Sequence, residues 1–135
     1  MRMIFVNLPV KDIGRTKAFF TALGFGFNPQ FSSEDTLCMY VEENIYVMLL
    51  TEGRFRDFVT GAIADPAKGP EVLTCLSCDS RAEVDALLAK AFAAGAKAWK
   101  PVMDMGPMYG ASFQDLDGHV WELVHMDPAA VQPQP

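Results

Sequence analysis

The chain has 135 residues, half of them apolar and 21% charged, which is enough for one buried core and too little for two ordinary independent domains. Its 11 basic residues against 17 acidic ones give a net charge of −6 with no run of Lys or Arg, which excludes a nucleic acid or an anionic membrane as its natural partner. Apolar runs such as Ile45 to Leu50 fall far short of the roughly 18 residues that cross a bilayer, and the first residues lack a basic-then-apolar leader, so a cytoplasmic location is expected.

Met3 to Val10 is rich in β-branched and apolar residues and predicts a strand. Ile13, Ala18, Phe19, Ala22 and Leu23 then recur at helical spacing, with Asp12 placed to cap the start and Gly24 to stop the end. Strand patterns return at Phe31, at Leu37 to Val41 and at Ile45 to Leu50, with Glu43-Asn44 as the turn between the last two. Thr60 to Pro70, with two Gly and two Pro, suits a linker.

The same order then repeats. Val72 to Cys78 predicts a strand. Arg81 to Ala94 predicts a helix with Val84, Leu87, Leu88, Ala91 and Phe92 on one stripe and Gly95 at its end. Ala98 to Val102, Ala111 to Gln114 and His119 to His125 follow as strands, the last two joined by a turn at Leu116-Asp117-Gly118. Laid over each other, the halves match Leu8-Pro9-Val10 with Leu76-Ser77-Cys78, Gly24 with Gly95, and Tyr46 to Leu49 with Val120 to Leu123. The boundaries are a first module at 1–62, a linker at 63–70, a second module at 71–127 and a flexible tail at 128–135, in one structural domain. Cys38, Cys75 and Cys78 form an odd set without an export signal, so reduced cysteines packed in the core are expected.

Three stretches carry a family resemblance: Asn7-Leu8-Pro9-Val10-Lys11-Asp12 leading into Arg15 to Phe20, Leu23-Gly24-Phe25, and Phe113 to Leu123 with the pattern F-x-D-x-D-G-x-x-x-E-L. Together they resemble the glyoxalase, bleomycin-resistance and extradiol-dioxygenase superfamily, also called vicinal oxygen chelate proteins, over nearly the whole chain through Asp127. The resemblance implies an α+β fold of paired βαβββ modules whose curved mixed sheets enclose a cavity. In metal-dependent members, four side chains from the first and last strands of each half reach that cavity. Carried over, those positions fall on Phe5, Met48, Leu73 and Glu122, and Glu122 alone suits a divalent ion. The two histidines, His119 in a turn and His125 out of parity with Glu122, do not rebuild the set. No cofactor and no divalent metal are therefore expected.

Strand alternation puts Phe5, Asn7, Tyr46 and Met48 of the first half and Leu73, Cys75 and Glu122 of the second on the cavity side. Trp99, Met103 and Tyr109 surround Gly106-Pro107 in a segment that in this family often caps the site. A mainly apolar lining with a few polar groups suits a small, partly aromatic ligand, as in the drug-binding resistance members, and the acidic chain favours a cationic one. The competing expectation is a lyase, isomerase or dioxygenase-like enzyme with Glu122 as the base. A homodimer is expected in either case, since the Trp99 to Tyr109 segment is too apolar to face water alone.

Overall fold

The computed structural model describes residues 1–130, so most of the expected tail at 128–135 lies outside the described residues; Pro128–Ala130 form a short 3₁₀ turn. The chain divides into two compact units, Met1–Asp65 and Pro66–Pro135. Among the described residues, no helix is long and apolar enough to cross a membrane.

In the first unit, strand β1 (Ile4–Val10) is followed by helix α1 (Ile13–Ala22), the two-residue strand β2 (Gly26–Phe27), β3 (Thr36–Glu42), β4 (Ile45–Thr51) and the short helix α2 (Glu52–Arg56). The sheet order is β1-β4-β3-β2, with β1 parallel to β4 and the other pairs antiparallel. Asp12 caps α1 as expected, accepting the Arg15 N–H at 2.8 Å, and Gly24 ends it at φ +101°, a conformation that side chains rarely adopt. Leu8 and Val10 of β1, Leu49 of β4 and Phe19 and Phe20 of α1 are buried, each contributing roughly 1.5–3 kcal/mol by leaving water.

The second unit repeats the plan with β5 (Leu73–Ser77), α3 (Arg81–Ala93), β6 (Lys97–Ala98), β7 (Met103–Asp104), β8 (Met108–Gln114) and β9 (Val120–Met126). Its order is β5-β9-β8-β6, with β7 also paired to β8 and β5 parallel to β9. Ser80 caps α3 by accepting the Glu83 N–H at 3.0 Å, and Gly95 ends the helix at φ +108°. Trp121 and Phe113 are each 1% exposed on the face that α3 covers. The internal repeat is in register: Leu8 pairs with Leu49 in one unit as Leu76 pairs with Leu123 in the other.

Four expectations need correction. Phe31 belongs to a 3₁₀ turn, Pro29–Phe31, because Pro29 presets the turn and the Asn28 side chain accepts the Gln30 N–H at 2.9 Å. Of the expected strand from Ala98 to Val102 only Ala98 is in a strand, the end of β6; the ladder resumes at β7 after a break at Pro101, which offers no N–H. The strand expected to begin at Ala111 starts at Met108, where an antiparallel partner, β9, reaches as far as Met126. Helix α2 has no counterpart in the strand pattern; Thr51 starts it by accepting the Arg54 N–H at 3.2 Å.

Candidate functional site

Alternation along β9 sends Trp121 and Leu123 into the core beneath α3 and turns Glu122 and Val124 to the open face of the sheet. The ladder registers then fix Glu122's neighbours. Cys75 lies directly across on β5 and Ser112 directly across on β8. Beyond β8, the β7–β8 hairpin brings Met103 opposite Gly110, whose lack of a side chain keeps that row open.

These elements form a cleft of about 170 Å³ within the second unit. Met103, Met108, Pro101 and Val124 supply apolar wall, while Glu122, Lys100, Ser112 and Cys75 supply its polar groups. Glu122 is half-buried and makes no hydrogen bond or ion pair among the described residues. Ser112, 6% exposed, accepts the Lys100 N–H at 3.2 Å. Burial, and after it the Glu122 charge, push the Cys75 thiol above the ordinary cysteine range.

The hairpin that carries Met103 and Met108 is fastened from the opposite face. Arg81, the first residue of α3, grips both carboxylate oxygens of Asp104 at 2.8 and 3.1 Å and donates to the Gly106 carbonyl at 2.6 Å. Its guanidinium also lies 4.9 Å from the Tyr109 ring centroid, and the Tyr109 hydroxyl donates to Asp85 at 2.6 Å. Tyr109 therefore faces α3 with Ala111 and Phe113, away from the cleft. Its expected place over the site is corrected, because β8 reaches back three residues beyond the expected start and the alternation along it puts Tyr109 on the α3 face.

The closing F-x-D-x-D-G motif serves the site indirectly. Asp115, 5% exposed, accepts the Asp117 and His119 N–H groups on one oxygen at 2.9 and 3.0 Å and the Trp121 indole N–H on the other at 2.9 Å. That clasp fixes both the turn and the side of β9 to which Trp121 points, and hence the opposite side for Glu122.

The other expected residues divide between places. Leu73 shares the open face with Cys75 but sits one row beyond the cleft, 50% exposed. Trp99, 37% exposed, follows β6 outside the cleft wall. In the first unit, Phe5, Asn7, Tyr46 and Met48 share the open face of that sheet, with Phe5 paired to Tyr46 and Asn7 to Met48. Phe5 stacks on Tyr46 at 5.1 Å and 11°, Tyr40 meets Tyr46 edge-on at 5.9 Å, and Asn7 donates to the Phe5 carbonyl at 3.2 Å. Cys75 is exposed, not packed in the core, because its strand is the sheet's edge; Cys78 is buried and its thiol is pushed up to about 11. His125 turns its Nδ1 to within 3.0 Å of the Cys78 carbonyl on the α3 side.

Lys100 and Ser112 are cleft residues that sequence reasoning did not select. Strand alternation along β8, which puts Ser112 on the face of Gly110 and Met108, names the second of them. Lys100 follows no periodic signal, since it lies in the break made by Pro101.

Of the positions that the resemblance assigns to metal ligands, Phe5 and Leu73 carry no donor atom and Met48 carries a thioether, which a divalent ion preferring nitrogen and oxygen donors uses poorly. Among the described residues, no three His, Cys, Asp or Glu side chains cluster closely enough to hold a metal.

Comparison with known proteins agrees with this architecture. The family model described as bleomycin resistance protein-like N-terminal matches residues 2–41, which span β1, α1, β2 and most of β3. A hypothetical protein from S. aureus superposes with a TM-score of 0.78 at 27% identity, covering 93% of this chain and 94% of that one. A glyoxalase/bleomycin resistance protein/dioxygenase family enzyme from Burkholderia phytofirmans has the same fold, with a TM-score of 0.76 at 20% identity over 93% and 99% of the two chains. The fold is that of the glyoxalase/bleomycin resistance/dioxygenase proteins. A fosfomycin resistance protein from Listeria monocytogenes shares the superfamily fold as well, with a TM-score of 0.66 at 18% identity over 93% of each chain. No curated protein matches the sequence.

Proposed function

We propose that this chain binds a small, cationic, partly aromatic molecule without the help of a divalent metal, in the manner of the drug-binding resistance proteins that its first module resembles. The observation that carries the reading is Glu122, a half-buried carboxylate with no protein partner among the described residues, facing a cleft whose walls are otherwise mainly apolar. A cation is the natural complement of such a group, because a charge partly removed from water gains most from a counter-charge. Size narrows the ligand. At about 170 Å³ the cleft is smaller than the ~300–1,000 Å³ that encloses drug-sized molecules, so it takes a small molecule or one group of a larger one.

The test is calorimetric titration with phenethylamine and benzamidine, beside toluene and phenylacetate as neutral and anionic counterparts. The cations are expected to bind and Glu122→Gln to weaken them. Equal binding of all four, or no binding of any, overturns the reading. A free carboxylate facing a cleft is also what a general base requires. The second reading is therefore a lyase, isomerase or dioxygenase-like enzyme of the superfamily, and it is distinguished by turnover that Glu122→Gln abolishes.

A homodimer in the cytoplasm completes the proposal. Phe5 and Tyr40 are 49% and 45% exposed on the open face of the first sheet, more aromatic surface than a lone chain keeps in water, and the three free thiols suit a reducing compartment. Light scattering is expected to give twice the chain mass, and a concentration-independent monomer mass overturns the dimer.

A further inference from the structure

Glu122 shares its cleft with a second charge, of opposite sign, that is equally without an ion pair among the described residues: Lys100. From this juxtaposition we infer that the cation Glu122 takes is the ammonium of a zwitterion, whose carboxylate stands close by on a short apolar body, as in an α-amino acid with an apolar side chain. The inference rests on the reading of the cleft as a ligand site and names the ligand's class.

Three observations carry it. The two residues are brought together through a third: Ser112 faces Glu122 across the β8–β9 ladder, and its Oγ accepts the Lys100 backbone N–H at 3.2 Å. Directly opposed side chains on neighbouring strands have Cβ atoms about 5 Å apart, so donor and carboxylate stand within one small molecule's span. The Ser112 hydroxyl uses an oxygen lone pair for Lys100 and keeps its hydrogen to donate, and it lies 6% exposed at the cleft wall, where an anion's hydrogen bond is shielded from water. Lys100, an exposed residue at the cleft wall, adds an ammonium on a flexible stem long enough to close on the same anion. The ligand's carboxylate thus lies toward Ser112 and Lys100 and its ammonium toward Glu122. Its body rests on Met103 and Met108, whose thioethers conform to irregular shapes. The volume of about 170 Å³ admits roughly eight to ten close-packed non-hydrogen atoms.

The experiment titrates the full chain with L-norleucine, with norleucinamide, which keeps only the cation, and with N-acetylnorleucine, which keeps only the anion. The work is done at about pH 6.5, where the amide's amino group is protonated. Phenethylamine serves as the cation control. Norleucine is expected to bind about tenfold more tightly than either single-charge analogue, as charge-assisted hydrogen bonds at a part-buried site contribute. Lys100→Met is expected to bring norleucine down to the amide's level and Glu122→Gln to the acetyl compound's level. Thermal melts of both variants check that they fold; neither side chain holds another in place. Binding of norleucinamide as tight as norleucine overturns the inference and leaves the cation-binding reading standing. Tightest binding of N-acetylnorleucine overturns both the zwitterion and the role of Glu122. Binding of phenethylamine alone overturns the inference without touching the broader reading, and binding of none of the four overturns both.

Discussion

Arg81 holds Asp104 by two parallel hydrogen bonds at 2.8 and 3.1 Å, and so ties the β7–β8 hairpin to the first turn of α3. The two residues lie on the face opposite the cleft, yet the hairpin between them carries Met103 and Met108, which form its wall. Cleft width is thus set by contacts that no ligand touches. Arg81→Met is expected to leave the unfolding midpoint nearly unchanged, since the pair is solvent-exposed, while accelerating amide hydrogen exchange at Met105 and Gly106. Unchanged exchange in the hairpin argues that the ladder with β8 fixes it alone.

Asp115 is the opposite case, a buried carboxylate with three N–H donors and no view of the cleft. Asp115→Ala orphans the Trp121 indole N–H and both turn amides, which is expected to cost about 2–4 kcal/mol in chemical denaturation. A loss below about 1 kcal/mol shows that water replaces the carboxylate and that the motif's first Asp is not structural.

For Glu122 a small effect on stability is expected. It is half-buried, unpaired and open to the cleft, so Glu122→Gln changes stability by less than about 1 kcal/mol while weakening cationic ligands. A loss of roughly 3–5 kcal/mol without any effect on binding identifies a structural ion pair instead.

Cys75 reports on the same carboxylate. Its thiol is raised by burial and by the Glu122 charge, so at a fixed pH near 8 removing that charge lowers the thiol's pKa, enlarges the thiolate fraction and speeds alkylation. Native protein treated with iodoacetamide is expected to label Cys75 first, because Cys38 and Cys78 are buried and the Cys78 thiol is pushed up to about 11. Glu122→Gln is expected to label Cys75 faster, and a bound cation beside Glu122 to change that rate as well. Equal rates in the two proteins place the side chains apart, against the ladder register.

Helices α1 and α3, with the cap of α1 at Asp12 and their stops at Gly24 and Gly95, and the Glu43-Asn44 turn were legible because their signals are local: an oxygen two or three residues from an N–H, a position that needs φ above zero, a period of 3.6 or 2. The repetition of one strand-and-helix plan in the two units was legible through the internal repeat and the superfamily resemblance, and alternation sufficed to put Cys75 and Glu122 on one face. Alternation fails where a strand's start is misplaced, since one residue of parity turns a side chain to the other face; Tyr109 was assigned to a ligand and faces Asp85 instead. What only the tertiary structure decided is which side chains from separate strands meet. Lys100 reaches the cleft through a break at Pro101 and a bond to Ser112, and Cys75 is exposed because β5 is an edge strand. Such meetings depend on ladder register and strand order, which arise from packing across many residues and leave no mark at the positions concerned.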